Sequence, residues 1–172
     1  MLRREKAQAT SLVLLVVCIA LTFFRIDLTS VSLAKGCTIY ARALYSFFHT
    51  STFHALVNCW CLISVVFIYD ISIASLLLAY IIAATYPFAG TPTIGMSGMC
   101  FALLGMICFQ VERKVYYHIW WLSFISFGYL APCIADIVGI DIAMPNNNLH
   151  LYCYLVGSLI ALLNAPILHE RG

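Results

Sequence analysis

Six long apolar stretches, separated by charges, prolines and polar clusters, make up most of this chain. They cover residues 11–24, 53–69, 71–88, 94–111, 115–134 and 149–168. A helix needs about 20 predominantly apolar residues to cross the hydrocarbon core of a bilayer. The pattern therefore predicts six transmembrane helices, with a tight turn at Asp70 between the second and the third.

Composition excludes a soluble domain. Of the 172 residues, 63% are apolar and 9% are charged, whereas about 25% of the residues in a soluble domain are charged. We therefore expect one all-α, polytopic membrane domain over residues 1–172, with any chemistry inside its helix bundle. No cofactor or nucleic-acid partner is indicated. Cys59 and Cys61 lie two apart and so point to different helix faces, which argues against a metal site.

The distribution of lysine and arginine predicts the orientation of the bundle. With six spans, three basic residues lie on one side, namely Arg25, Lys35 and Arg42. Six lie on the side of the termini: Arg3, Arg4, Lys6, Arg113, Lys114 and Arg171. Because cytoplasmic loops carry an excess of basic residues, both termini are expected in the cytoplasm.

The N-terminal stretch also has the charge pattern of a signal peptide, because Arg3 and Arg4 precede a short apolar run. A small-x-small site occurs near residues 32–34, well beyond that run, and cleavage there would leave an odd number of spans. We therefore expect the stretch to remain as the first span.

Three regions are expected outside the bilayer core. Segment 38–48 mixes aromatic residues with Arg42, as is typical of an element lying on the membrane surface. Asp136 and Asp141 are expected as solvated charges in an external loop. His118, next to two tryptophans, is expected in an interfacial belt.

Polar side chains mark the start of the second, fourth and sixth spans, where they are costly in lipid. His54 and Asn58 are four residues apart and share one helix face, Ser97 begins the fourth span and His150 begins the sixth. Because these three spans run inward, all four side chains are expected in the same outer layer of the membrane.

Small residues recur at helical spacing along the fourth and sixth spans. They are Gly98, Ala102 and Gly105 in one, and Cys153, Gly157, Ala161 and Ala165 in the other. Such stripes allow helix backbones to approach closely in lipid. His150 shares the face of Cys153, so this packing is expected to bring His150 toward Ser97.

A serine near a histidine has an obvious chemistry. The hydroxyl becomes a nucleophile when an adjacent base takes its proton, and attack on a peptide carbonyl needs donors for the developing oxyanion. His54, Asn58 and the backbone N–H of Ser97 are candidate donors. A lone serine in a membrane helix more often bonds back to a helix carbonyl, but the accompanying histidine and donors favour the nucleophile here.

These residues resemble the motifs of the rhomboid family of intramembrane serine proteases. The resemblance comprises three motifs, in order on the second, fourth and sixth spans: HxxxxHxxxN (His49, His54, Asn58), GxSG (Gly95, Ser97, Gly98), and His150 with Gly157 seven residues later.

The resemblance implies that Ser97 is the nucleophile and His150 the general base and acid, in a dyad without an aspartate. It implies that His54 and Asn58 line an oxyanion hole and that His49 is structural, with hydrogen bonds within the first loop. The substrates would be transmembrane segments of other membrane proteins, admitted past the fifth span and the loop after it. The six-helix form is most familiar from bacterial plasma membranes, where we expect this protein by association.

Several positions depart from the family pattern. Phe101 replaces a common tyrosine and is expected to stack on His150 without a hydroxyl. Leu149 and Cys153 replace a smaller alanine and glycine, which predicts slightly looser packing of the fourth and sixth spans. The tryptophan–arginine pair of the first loop has no clear equal, and Arg42 is the nearest residue to it.

Two alternatives to a protease remain. One is a catalytically silent rhomboid-like protein that binds or routes membrane proteins; the presence of both Ser97 and His150 argues against it. The other is a small channel or transporter, against which stand the lack of carboxylates deep in the spans and of inverted repeats.

Overall fold

The computed structural model describes residues 2–24, 26–87, 92–139 and 146–169, with residues 2, 3 and 164–169 described by their backbone alone. In chain order the helices are α1 (Leu2–Leu21), α2 (Ile39–Leu44), α3 (Thr52–Ile68), α4 (Ile73–Ala84), α5 (Ser97–Met106), α6 (Lys114–Val138) and α7 (Asn147–His169). Short 3₁₀ turns extend α2 through Tyr45–Phe47 and α5 through Ile107–Gln110. The described residues contain no strand, so the predicted all-α class is confirmed for them.

One described helix, α6, is long and apolar enough to cross a membrane by itself. The segments Ile39–Phe47 and Thr52–Ile68 pass the same criterion as a pair, but they meet at an angle of 83°. By length and composition the described helices thus include one or two candidate membrane spans.

The predicted tight turn at Asp70 is present. Here α3 ends at Ile68 and α4 begins at Ile73. The Asp70 N–H donates to Oε1 of Gln110 (3.0 Å), and Nε2 of Gln110 donates back to the Asp70 carbonyl (3.3 Å). The end of the α5 extension therefore closes the turn between α3 and α4.

Helix α4 is shorter than the predicted stretch 71–88. It ends at Ala84, and the Arg42 guanidinium donates to the carbonyls of Ala84 (2.9 Å) and Tyr86 (2.8 Å). Arg42 thus satisfies carbonyl groups left without a partner at the helix end. Arg42 belongs to α2, within segment 38–48. Its hydrogen bonds therefore attach the first loop to the end of α4.

Helix α6 is longer than the predicted stretch 115–134. It continues to Val138 and ends at Gly139, whose φ of 72° gives the left-handed conformation typical of helix ends. The expectation that Asp136 lies in a loop is therefore wrong, because Asp136 lies in the last turn of α6. Asp141 lies outside the described residues.

Helix α5 lies at the centre of the bundle, and all its residues from Gly98 to Gly105 are buried. It packs closely against α7: a Cβ at Gly157 would overlap the backbone oxygen of Ala102, and one at Gly105 would overlap the backbone oxygen of Tyr154. The predicted close approach through small residues is confirmed. It also shows why glycine is required at these two positions.

The larger residues Leu149 and Cys153 fit into this interface. Both are fully buried, and Cδ2 of Leu149 lies 3.4 Å from the position that a Cβ on Gly98 would take. Leu149 thus packs beside Gly98, at what would be ordinary van der Waals distance from such a Cβ. The predicted loosening of the interface is not observed around Gly98, Gly105 or Gly157.

Candidate active site

The loop that precedes α5, residues 92–96, is hydrogen-bonded to the first loop, between α1 and α3. The backbone N–H and carbonyl groups of Leu33 and Thr93 bond to each other (2.8 and 3.0 Å), and the Gly95 N–H donates to the Tyr45 carbonyl (2.9 Å). Gly95 has a φ of 115°, a conformation that residues with a side chain rarely adopt. Helix α5 therefore begins at Ser97, later than the predicted stretch 94–111.

His49 holds the same loop from the other side. Its Nε2 accepts the backbone N–H of Met96 (3.3 Å), and its Nδ1 lies 3.3 Å from the Phe47 carbonyl, to which it donates. Both bonds are compatible with the neutral ring protonated at Nδ1. Burial, with a smaller contribution from nearby His54, lowers the pKa of His49 to about 4. His49 thus joins the first loop to the start of α5 in its uncharged form.

Ser97 and His150 lie within hydrogen-bond distance. Nε2 of His150 is 2.9 Å from Oγ of Ser97. The serine is the first residue of α5, and the histidine lies in the first turn of α7. The Phe101 ring, one turn after Ser97, stacks on the His150 imidazole with centroids 4.4 Å apart and planes inclined by 21°. Phe101 therefore fixes the plane of the ring that contacts the serine hydroxyl.

His54 and Asn58 on α3 face the loop before Ser97. A Cβ at Gly95 would lie 3.0 Å from Cε1 of His54 and 3.1 Å from Nδ2 of Asn58. Asn58 is 7% exposed, and its Nδ2 has no hydrogen-bond partner within the part of the chain that the structure describes. A buried donor without an acceptor destabilises a protein by about 1–3 kcal/mol. Nδ2 of Asn58 is therefore a donor without a protein acceptor in the described part of the chain, on a residue that lines the cavity.

A cavity of about 990 Å³ connects these side chains. Ser97, His150, His54 and Asn58 line it together with aromatic residues of α6, among them Phe124. Its remaining lining includes Thr50, Tyr129 and the three asparagines of residues 146–148. Apart from the two histidines, which can bind a proton, no described residue that lines the cavity has an ionisable carboxylate, ammonium or guanidinium group. The cavity thus has a largely apolar wall with hydroxyl, amide and imidazole groups set into it, and it is large enough for several residues of an extended chain.

The remaining motif glycines have a packing role. Gly98 and Gly157 are not among the residues that line the cavity, and each allows a neighbouring element to approach α5 or α7. The structure therefore brings Ser97, His150, His54, Asn58 and Phe101 to one cavity. His49 and Gly95 do not line it, but each contacts the loop or the side chains next to it.

Sequence reasoning missed several contacts. Thr50 Oγ1 lies 3.1 Å from Nδ1 of His54, a pair whose spacing of four residues is visible in the sequence. His118, which the sequence placed in an interfacial belt, has a contact that was not expected: its Nδ1 lies 2.7 Å from the Tyr154 hydroxyl. At the cavity mouth, the Tyr129 hydroxyl donates to Oδ1 of Asn148 (2.6 Å). No local spacing indicates these last two contacts, because they join different helices.

The arrangement is suited to nucleophilic attack on a carbonyl. The imidazole is placed to accept the serine proton, and the start of α5 offers backbone N–H groups without intrahelical acceptors. Comparison with known protein families, curated proteins and solved structures gives no match to this chain.

Proposed function

We propose that this protein is an intramembrane serine protease of the rhomboid type, which cleaves transmembrane segments of membrane-protein substrates. The proposal depends above all on one observation, the 2.9 Å separation of His150 Nε2 from Ser97 Oγ. The unpartnered Nδ2 of Asn58 in the same cavity supports it.

The reaction would proceed through an acyl-enzyme. Ser97 Oγ attacks the substrate carbonyl carbon while its proton moves to Nε2 of His150. The resulting oxyanion accepts hydrogen bonds from Nδ2 of Asn58, from the His54 ring and from the Ser97 N–H. His150 then gives its proton to the departing amine, and a water molecule, deprotonated by His150, hydrolyses the ester on Ser97.

We propose a six-span bundle in the membrane, with α1, α3, α4, α5, α6 and α7 as the spans and α2 on the outer surface. The surface of the protein supports this arrangement, because large apolar side chains such as Ile137 (86% exposed) and Trp60 (75% exposed) face outward. Extensive apolar surface on a monomer marks contact with a partner or with lipid.

The depth of Ser97 follows from helix length. The 10 residues of α5 and the 4 of its 3₁₀ extension rise about 23 Å, which is less than the ~30 Å hydrocarbon core. With Gln110 at the inner boundary, Ser97 lies several ångströms below the outer one. The cavity that Ser97 lines, with its hydroxyl, amide and imidazole groups, would supply the water that hydrolysis needs.

The substrate segment must unwind before it is cleaved, because a carbonyl in a helix is already hydrogen-bonded. The cavity offers side-chain amides and hydroxyls to such an unwound segment, including those of Thr50, Tyr129 and Asn148. Helices α3 and α6 both contribute residues to the cavity lining, and the substrate would enter between them.

The test is cleavage of a labelled transmembrane substrate by the reconstituted protein. Parent protein is expected to cleave it, and both Ser97→Ala and His150→Ala are expected to lose activity. Asn58→Ala is expected to lower kcat by about 100-fold or more, the typical effect of removing one oxyanion donor. A fluorophosphonate probe is expected to label Ser97 in the parent but not in His150→Ala.

Two outcomes would contradict the protease proposal. Retained cleavage in Ser97→Ala would place the nucleophile elsewhere. Binding of several transmembrane substrates without cleavage by the parent would favour the catalytically silent alternative.

A further inference from the structure

A threonine next to the cavity contacts the imidazole of the proposed oxyanion hole. Thr50 Oγ1 lies 3.1 Å from Nδ1 of His54, and both residues line the cavity that contains Ser97. The His54 backbone is held independently, because its N–H donates to the side chain of Ser51 at the start of α3 (3.1 Å). Thr50 therefore contacts the ring of His54 and not its backbone. This contact can determine which ring nitrogen carries the proton.

The opposite edge of the His54 ring faces the substrate side. Its Cε1 and Nε2 would lie 3.0 and 3.1 Å from a Cβ on Gly95, in the loop that leads directly to Ser97. Only a proton on Nε2 makes this edge a donor toward an oxyanion. With the proton on Nδ1, the Nε2 lone pair would face the developing negative charge and repel it.

His49 cannot determine the tautomer of His54. Their rings are in edge-to-face contact, with centroids 5.0 Å apart. Both nitrogens of His49 are already engaged, one with the Met96 N–H and the other with the Phe47 carbonyl. Among the described residues, Thr50 is the side chain that bonds the His54 ring.

We propose that the Thr50 hydroxyl donates to Nδ1 of His54 and thereby holds His54 in the Nε2–H form that an oxyanion donor requires. The hydrogen bond at one imidazole nitrogen determines which form of the ring is present. Thr50 is a positioning residue, since it acts through His54. The inference rests on the proposed protease function, which gives the Nε2–H proton its use.

The tautomer can be measured without any activity. The full-length protein with ¹⁵N-labelled histidine is examined in micelles by NMR at about pH 8, where an ordinary histidine is neutral, and His54→Gln identifies the His54 signals. In the parent, Nδ1 of His54 is expected to be unprotonated and Nε2 protonated. Thr50→Ser keeps this signature, whereas Thr50→Val, which has the same shape without the hydroxyl, gives a mixture of the two forms.

The kinetic readout separates a positioning role from a structural one. Thr50→Val is expected to lower kcat by about 3- to 10-fold, the equivalent of one net hydrogen bond, with KM unchanged and with Thr50→Ser close to the parent. Thr10→Val is the matched control, because the Thr10 hydroxyl bonds a carbonyl within α1 (2.8 Å). It is expected to leave kcat and KM unchanged.

The outcomes distinguish this inference from the function on which it rests. A proton on Nδ1 of His54 in the parent, or an unchanged NMR signature in Thr50→Val, overturns the inference even if the parent cleaves its substrate. An active parent whose kcat is unaffected by Thr50→Val also overturns it. A parent without any protease activity refutes the proposed function, while NMR still decides the tautomer.

Discussion

At the scale of single residues, His49, Ser97 and His150 have hydrogen-bond partners within the protein, whereas one buried donor of the site, on Asn58, has none among the described residues. His49 uses both ring nitrogens, and the Ser97 hydroxyl lies against His150. The Asn58 amide nitrogen is buried and has no acceptor among the residues that the structure describes. A protein tolerates such a donor where a ligand or a transition state supplies the acceptor. This contrast is the residue-level argument for an oxyanion at Asn58.

His49 predicts a pH dependence of stability. Its pKa is about 4 in the folded protein against about 6.5 in the unfolded chain, so between these values the unfolded state binds more protons. Stability is therefore complete above about pH 6.5 and falls as the pH decreases toward 4. Unfolding measured in detergent from pH 8 to pH 4 is expected to show this fall.

His49→Gln is the control for that measurement. It keeps an acceptor for the Met96 N–H and a donor for the Phe47 carbonyl but cannot titrate, so the stability should decline less steeply between pH 6.5 and 4. An identical decline in both proteins would assign the effect to other groups.

The sequence identifies the proposed reacting residues better than it identifies their hydrogen-bond partners. Ser97, His150, His54 and Asn58 are identifiable because polar groups are rare in an apolar chain and share one end of three helices. The contact between Tyr129 and Asn148 was missed because the two residues lie on separate helices, whose mutual orientation depends on packing. Thr50 was missed although it lies four residues before His54, because it precedes α3 and has no helical face.

At the scale of elements, backbone contact between α5 and α7 positions Ser97 and His150, the proposed dyad. Gly157 meets the backbone oxygen of Ala102, which cannot move without displacing the helix. Gly128 instead meets the side-chain amide of Asn147, which can rotate away. Two chemically identical substitutions therefore have opposite expected effects on stability.

Gly157→Ala is expected to destabilise the protein by about 1–3 kcal/mol through overpacking, and to reduce activity by moving His150 away from Ser97. Gly128→Ala is expected to be neutral or stabilising, because alanine is favoured over glycine in a helix by about 1 kcal/mol. Thermal unfolding of the two variants in one detergent tests both expectations. Equal stability would show that α7 adjusts to the added methyl group.

The order of the helices followed from hydropathy, but several of their ends did not. The start of α5 depends on the positive φ of Gly95 and on bonds to Tyr45 and His49, which lie far away in sequence. Likewise, Arg42 bonds the carbonyls at the end of α4. Hydropathy reports which residues prefer lipid, whereas a helix ends where other groups satisfy its backbone.

At the scale of the whole molecule, a neutral cavity lies within an apolar exterior. Among the residues that the structure describes, those lining the cavity provide hydroxyls, amides and imidazoles but no carboxylate or ammonium group. Large apolar side chains cover much of the outer surface. A charged side chain that entered the cavity would lose its hydration without gaining an opposite charge.

Cleavage should therefore depend on the charge of the substrate at the scissile bond. Replacing a residue next to that bond by lysine is expected to lower kcat/KM by at least about 100-fold, because burying an unpaired charge costs several kcal/mol. Methionine at the same position, which is similar in length and uncharged, should be cleaved much better. A lysine in the substrate's external flank is the second control and should be tolerated, since it stays in water. If lysine and methionine next to the bond gave equal rates with the reconstituted protein, the scissile bond could not lie in this cavity when it is cleaved.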